Sequence, residues 1–293
     1  MTQQNEYARM NNPLQKGKVI LAGAGPGDPD LITVKTANYL QQADVILTDR
    51  LVSKVIIKRY VKPSAQVIEV GKQCRRGIST PQETINGLLV RYSLEGKLVV
   101  RLKGGDVSFF SNVMDELETL VAQQIPYEIV PGITAASGAA AYAGIPLTAR
   151  DHATAVRFLT YYKSSVLKDD YWKELAATDD TLIFYMSSET IDQLVEKLVE
   201  HKISAAKQLA VIEQATTTYQ QVYISNIYEY ETKLKGQSFL SPSLIIVGKV
   251  VALQEQFQWF TGSNLKEYYF KPLTSPVKSI VQNESIKTYV GRA

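Results

Sequence analysis

The sequence predicts an α/β protein with two α/β domains, the first built on a mostly parallel sheet and the second on a mixed one. Three observations carry this. With 293 residues, 45% hydrophobic and 21% charged, the chain has a globular composition and enough length for two cores. From Gly17 to about Pro131, short β-rich runs alternate with segments of helical apolar spacing, as in a parallel sheet covered on both faces. From about Ala155 onward, strands follow one another with few helices between them, which calls for hairpins and a mixed sheet.

The first set of strands is KVILAG, DVILTD, QVIEVG, KLVVRLKGGD and PYEIVPG, with helices expected over 30–42, 52–60, 80–95 and 112–124. For helix 80–95, Thr80 is the expected N-cap, Pro81 the first helical residue and Glu83 the partner that closes a capping box. The second set is AVRFLTYY, DTLIFYM, QLAVIEQA, YQQVYIS and SLIIVGKVV, with one long helix at 189–201 and a shorter one near 225–234. These runs divide the chain into an N-terminal extension (1–16), a first domain (17–147), a second domain (148–261) and a polar, aromatic C-terminal extension (262–293).

Several function classes are disfavoured at once. The formal charge of +3 is too small to argue for nucleic acid, and no apolar run approaches the roughly 18 residues of a membrane span. The polar start MTQQNEYARMNNPLQKG and the single Cys74 lead to the expectation of a cytoplasmic protein without a disulfide or a zinc cluster. Charge is uneven, however. Lys72, Arg75, Arg76, Arg91, Lys97, Arg101 and Lys103 face only Glu83 and Glu95 in the same stretch, which reads either as a solvated basic face or as a field for an anionic small molecule.

The glycine-rich turn GAGPGDPD follows the first strand. A dinucleotide turn needs G-x-G-x-x-G, whereas here the glycines are Gly23, Gly25 and Gly27 with Asp28 next, although Asp49 stands where a ribose-binding acid would. The other strands end as unusually: TDR at Asp49 and Arg50, GKQCRR at Lys72, Arg75 and Arg76, KGGD at Gly104, Gly105 and Asp106, and PGITAA. In a parallel sheet all of these ends lie along one edge, where ligands bind.

Taken together, GAGPGDPDLITVK, VRLKGGD, VPGITAASGAAAYAGIPLT and SPSLIIVG resemble the tetrapyrrole methylase family, over about Gly17 to Val251. VILTDRLVS and EVGKQ are most similar to the members that methylate uroporphyrinogen III. The resemblance implies a cofactor cleft between two α/β domains, a homodimer, and S-adenosylmethionine as methyl donor, with S-adenosylhomocysteine as product and no metal. It places cofactor contacts at Pro26, Gly104, Gly105, Asp106, Phe109, Thr134, Ala135, Met186 and Ala215, and near Pro242 and Ser243. It implies Asp49 as proton acceptor and Lys72 as proton donor. Arg50, Arg75, Arg76, Lys103 and Arg150 would meet the carboxylates of an anionic tetrapyrrole.

Simpler readings stand beside these: a salt bridge to a neighbouring arginine for Asp49, carboxylate binding for Lys72, and a buried strand end for Met186. His152 and His201 do not read as catalytic; His201 closes a helix, where a cation suits the dipole. The implied reaction is methylation at C-2 and then C-7 to give precorrin-2, for sirohaem or cobalamin. The alternatives are another tetrapyrrole methylase with a different acceptor, or a non-catalytic binding protein. Four positions depart from the family pattern: Val107 for a proline, Asn112 for an arginine within a glycine turn, a histidine common upstream of PQE that is replaced near Ile78, and Ala149 for a histidine.

Overall fold

A computed structural model describes residues 16–73, 78–162 and 167–272. It divides the chain into two compact units. One contains the chain up to Ala24 and Ile32–Gly132, and the other contains Gly25–Leu31 and Ile133–Lys271. The division thus falls at Gly132, earlier than the expected boundary at 147, and the glycine-proline turn 25–31 belongs with the second unit.

The first unit is a five-stranded, wholly parallel sheet. Its strands are β1 (Lys18–Gly23), β2 (Val45–Thr48), β3 (Gln66–Glu69), β6 (Leu98–Lys103) and β7 (Tyr127–Val130), in the order β3-β2-β6-β1-β7. Strands β4 (Lys72–Gln73) and β5 (Ile78–Ser79) form a separate antiparallel pair. The central strands β1 and β6 are buried along nearly their whole length, and both are mainly apolar, although β6 also carries Arg101 and Lys103.

Four helices join the strands of this unit: α1 (Val34–Gln42), α2 (Lys54–Tyr60), α3 (Gln82–Leu94) and α4 (Val113–Ala122). Side chains of alternate parity along β6 divide between two cores. Val100 and Leu102 pack with Leu40 of α1 and Ile56 of α2, whereas Val99 packs with Ile85, Leu88 and Leu89 of α3 and Leu120 of α4. Thr33 caps α1 by accepting from Thr36 N at 3.2 Å, and Ser53 caps α2 by accepting from Val55 N at 3.3 Å. The expected cap of α3 is displaced by one residue. Pro81 is the N-cap, and the Thr80 hydroxyl donates to Gly71 O at 3.3 Å instead.

The second unit holds a mixed sheet in the order β11-β10-β12-β9-β8, with β8 (Val156–Thr160), β9 (Thr181–Tyr185), β10 (Gln208–Glu213), β11 (Gln221–Asn226) and β12 (Ser243–Gly248). Only β8 and β9 run parallel; β10, β11 and β12 pair antiparallel. Its longer helices are α5 (Ala135–Ala143), α6 (Asp169–Ala177) and α7 (Ile191–Glu200), followed by the single turns α8 (Tyr230–Lys233) and α9 (Gln254–Phe257).

Helix α6 was not among the expected elements. It buries Trp172, Leu175 and Ala176 in a core shared with Phe184 of β9 and Leu194 and Leu198 of α7, and a run of two turns gives too little periodicity to stand out. Residues 262–271 were expected to lie outside the second domain. They are part of this unit, with Phe270 buried, and just before them Trp259 and Phe260 are in ring contact with Tyr142 of α5. Among the described residues, no helix is long and apolar enough to cross a membrane.

Candidate functional site

In the first unit the parallel sheet brings the ends of β2, β6, β1 and β7 to one edge. Three of those ends meet backbone to backbone. A Cβ on Gly23 would lie 2.6 Å from Gly105 O and 2.7 Å from Gly132 Cα, and one on Gly132 would lie 2.4 Å from Gly105 O. Only residues without side chains permit this approach, and Gly105 also adopts a φ of +71°.

Asp106 ties the junction together. Its Oδ2 accepts from Gly132 N at 2.8 Å and its Oδ1 from Ser108 N at 2.7 Å. A carboxylate has about four lone-pair sites, so capacity remains for a further donor such as an ammonium group. Phe109, on the following loop, is 37% exposed.

Asp49 stands at the end of β2 on the same edge, its side chain 26% exposed. Its neighbour is Arg101, whose Nη2 donates to Asp49 Oδ1 at 2.6 Å. Arg101 and Lys103 share one face of β6, and both reach Glu116 of α4. Arg101 Nε donates to Glu116 Oε1 at 2.9 Å and Lys103 Nζ to Glu116 Oε2 at 2.8 Å. Lys103, expected at the substrate, is therefore buried and paired within the protein, and its burial pushes the ammonium below its ordinary pKa. Breaking such a buried pair by removing one partner typically costs about 3–5 kcal/mol.

The rest of the basic stretch does not converge. Arg91, in the last turn of α3, pairs with Glu95, and Lys97 precedes β6 at the opposite edge of the sheet. Arg50 is half-buried beside Asp49, and Lys72 lies in the short strand β4. Arg75 and Arg76 lie outside the described residues.

In the second unit, the turn 25–31 is anchored at several points. Pro26 is buried against Gly138 of α5, where an added Cβ would meet the proline ring at 2.5 Å. Asp28 N donates to Thr216 Oγ1 at 3.0 Å, and Asp28 Oδ2 accepts from the Tyr142 hydroxyl at 2.6 Å. Burial together with this carboxylate raises the Tyr142 pKa to about 12.

Thr134 and Ala135 open α5 as expected, but the hydroxyl that meets the helix start is that of Tyr185. It accepts from Ala136 N at 3.0 Å and lies 2.7 Å from Thr134 Oγ1. Sequence reasoning missed Tyr185, because a tyrosine ending an apolar strand gives no sign that its hydroxyl caps a distant helix.

Met186 follows β9 with a φ of +55° and is 47% exposed, so the buried alternative for it does not hold. Ala215 packs at the margin of the cluster that holds Ala136, Ala139 and Ile212, in a turn where Gln214 and Thr216 both have positive φ. Pro242 O accepts from Gln214 N at 2.7 Å. The Ser243 hydroxyl, at the start of β12, is buried without a partner among the described residues. Arg150 is exposed.

The sequence profile of the tetrapyrrole (corrin/porphyrin) methylases matches residues 18–231. The chain belongs to the tetrapyrrole methylase family. Among curated proteins, siroheme synthase of Azotobacter vinelandii (strain DJ / ATCC BAA-1303) is 46% identical over 250 residues, covering 85% of this chain and 53% of that protein. The chain spans about half the length of the curated relatives it matches. Of the solved structures, uroporphyrin-III C-methyltransferase from Thermus thermophilus is 31% identical with a TM-score of 0.69, over 84% of this chain and 98% of that one. A structure of the Thermus thermophilus enzyme complexed with S-adenyl homocysteine is 29% identical with a TM-score of 0.66, over 80% and 93% of the two chains.

Against the methylase pattern, the departures have structural counterparts. Val107 is fully buried in the core that Val99 shares with α3 and α4. Asn112 is the N-cap of α4 with a φ of +51°, and Phe110 has a φ of +50°, so the loop keeps left-handed positions without glycine. Ala149 pairs with Ala153 through an isolated β-bridge. Of the two histidines, His152 Nδ1 lies 2.8 Å from Arg150 O, and His201 Nε2 lies 3.1 Å from Asp169 Oδ1 beyond the end of α7. Neither is near the strand ends discussed above in sequence or in bonding.

Proposed function

We propose that this tetrapyrrole methylase is an S-adenosylmethionine-dependent C-methyltransferase that acts on uroporphyrinogen III, at C-2 and then C-7, to give precorrin-2. The observation that carries the reading is the glycine junction at the sheet edge, with Asp106 at its centre and Asp49 on the neighbouring strand end. Support comes from the similarity to a methyltransferase complexed with S-adenyl homocysteine.

The donor set suits the cofactor. Asp106 offers a carboxylate to an ammonium group, the Gly104–Gly105 backbone admits close approach, and Thr134 and Ala135 begin a helix whose amides suit an acceptor. Phe109 and Met186 offer partly exposed apolar surface, while Pro26, Ala215, Pro242 and Ser243 act as supporting positions. When bound, S-adenosylmethionine supplies an electrophilic methyl group that needs no metal activation.

The residues of the chain then have three tasks: to align the methyl with a pyrrole carbon, to hold the acidic side chains of the ring, and to take up the proton lost on alkylation. Alignment alone is worth on the order of 7–11 kcal/mol in favourable cases. Asp49 is the proton acceptor in this reading and Lys72 the donor. Arg50, Arg75, Arg76 and Arg150 meet substrate carboxylates. A cytoplasmic homodimer completes the proposal.

The test is transfer of labelled methyl from S-adenosylmethionine to a panel of porphyrinogens. Label in uroporphyrinogen III and little in acceptors with fewer carboxylates supports the reading; label only in another acceptor overturns it.

A further inference from the structure

Four ionisable side chains of the first unit meet on one face of the sheet, and Asp49 is the most exposed of them. Side-chain exposures are 3% for Arg101, 3% for Lys103 and 1% for Glu116, against 26% for Asp49. Joining α4 to β6 does not require this, since apolar residues of similar volume hold a helix to a sheet at least as well.

The arrangement has a direction. Every edge of the Arg101 guanidinium is used: Nε on Glu116, Nη1 on the carbonyls of Leu47 and Leu102 at 3.3 Å each, and Nη2 on Asp49. The fork therefore cannot rotate, and the carboxylate at its outer end inherits that fixity. Lys103 supplies the second cation that balances Glu116, so two cations and two carboxylates are enclosed together.

We infer that Arg101 is a positioning residue for Asp49, holding its carboxylate at the sheet edge, and that Glu116 and Lys103 hold Arg101. The inference rests on the reading of Asp49 as proton acceptor. In that reaction a ring carbon bonds the methyl and the electron pair of the cleaved C–S bond stays on sulphur. The ring, now cationic, then gives up a proton to Asp49. A cationic ring is a strong acid, so a carboxylate already paired with arginine suffices as base, and placement matters more than basicity.

The test uses the full chain and three variants: Arg101→Lys, Glu116→Gln and Asp49→Asn. Arg101→Lys keeps the charge and loses the fork. It should lower kcat on the order of 10²-fold, as a displacement of about 1 Å can. S-adenosylhomocysteine affinity by calorimetry and KM for the porphyrinogen should stay within about twofold of the parent. Glu116→Gln serves if that variant does not fold, and it should show the same split. Wild-type kcat in a folded Arg101→Lys or Glu116→Gln protein, or equal losses in kcat and cofactor affinity, overturns the inference. Asp49→Asn separates the two levels. If it keeps full turnover, the proton-acceptor reading fails and the inference with it; if it is inactive while Arg101→Lys is unimpaired, only the inference fails.

Discussion

Gln214 holds Tyr269 in place through its side-chain amide: Tyr269 N donates to Gln214 Oε1 at 2.7 Å, while Gln214 Nε2 donates to Glu267 O at 2.8 Å. Further along, Ser263 N donates to Thr218 O at 2.6 Å and Gln221 Nε2 to Ser263 O at 2.6 Å. The segment is thus laced onto the turn between β10 and β11, whose Thr216 holds Asp28. Gln214→Ala strands two backbone groups and should lower unfolding stability by about 1–3 kcal/mol. Urea denaturation checks this, and an unchanged midpoint would mean that the lacing carries no energy.

Gly138→Ala separates steric from conformational effects. The new methyl would sit 2.5 Å from the Pro26 ring and push on the 25–31 turn, whereas Gly236→Ala meets nothing within 4 Å and suffers only from its φ of +78°. Overpacking of this kind costs about 1–3 kcal/mol. We expect both variants to lose stability, but only Gly138→Ala to lose S-adenosylhomocysteine affinity by calorimetry.

Asp106→Asn removes one charged acceptor from the glycine junction. Either Gly132 N or Ser108 N then loses its carboxylate partner. A charge-assisted hydrogen bond is worth about 1.5–3 kcal/mol, so cofactor affinity should fall roughly 10- to 100-fold. Titration calorimetry reads this directly, and equal affinity would remove Asp106 from the cofactor's reach.

Glu128 governs part of the acid response. Hydrogen bonds from Lys18, Lys35 and Tyr39 hold its carboxyl at a pKa of about 2, against 4.5 for an ordinary glutamate. A folded-state pKa below the unfolded value means stability that is present above about pH 4.5 and lost as pH falls toward 2. Glu128→Gln should therefore flatten the decline of the denaturation midpoint across that window. Because the site is exposed, salt should weaken the effect.

The first sheet was legible because its central strands are mainly apolar and run into glycine-rich turns, so hydrophobic runs and turn signals coincide at residues 18–23 and 98–103. The alternation of Arg101 and Lys103 inside such a strand was itself a signal. Charges at every second position of a central strand must find partners within the fold, but nothing local pointed to Glu116, on the helix that follows. The basic stretch misled for the same reason: proximity in sequence ignores the two edges of a parallel sheet, which part Lys97 from Lys103. The docking of residues 262–271 rests largely on backbone hydrogen bonds and one buried glutamine, and these leave no periodicity to read.

Counting transferred methyl groups tests the proposed activity most directly. The purified chain, incubated with uroporphyrinogen III and methyl-deuterated S-adenosylmethionine, should yield a tetrapyrrole that carries two labelled methyl groups by mass spectrometry. A product with no label after complete consumption trials, in a protein that is folded and binds S-adenosylhomocysteine, would contradict it.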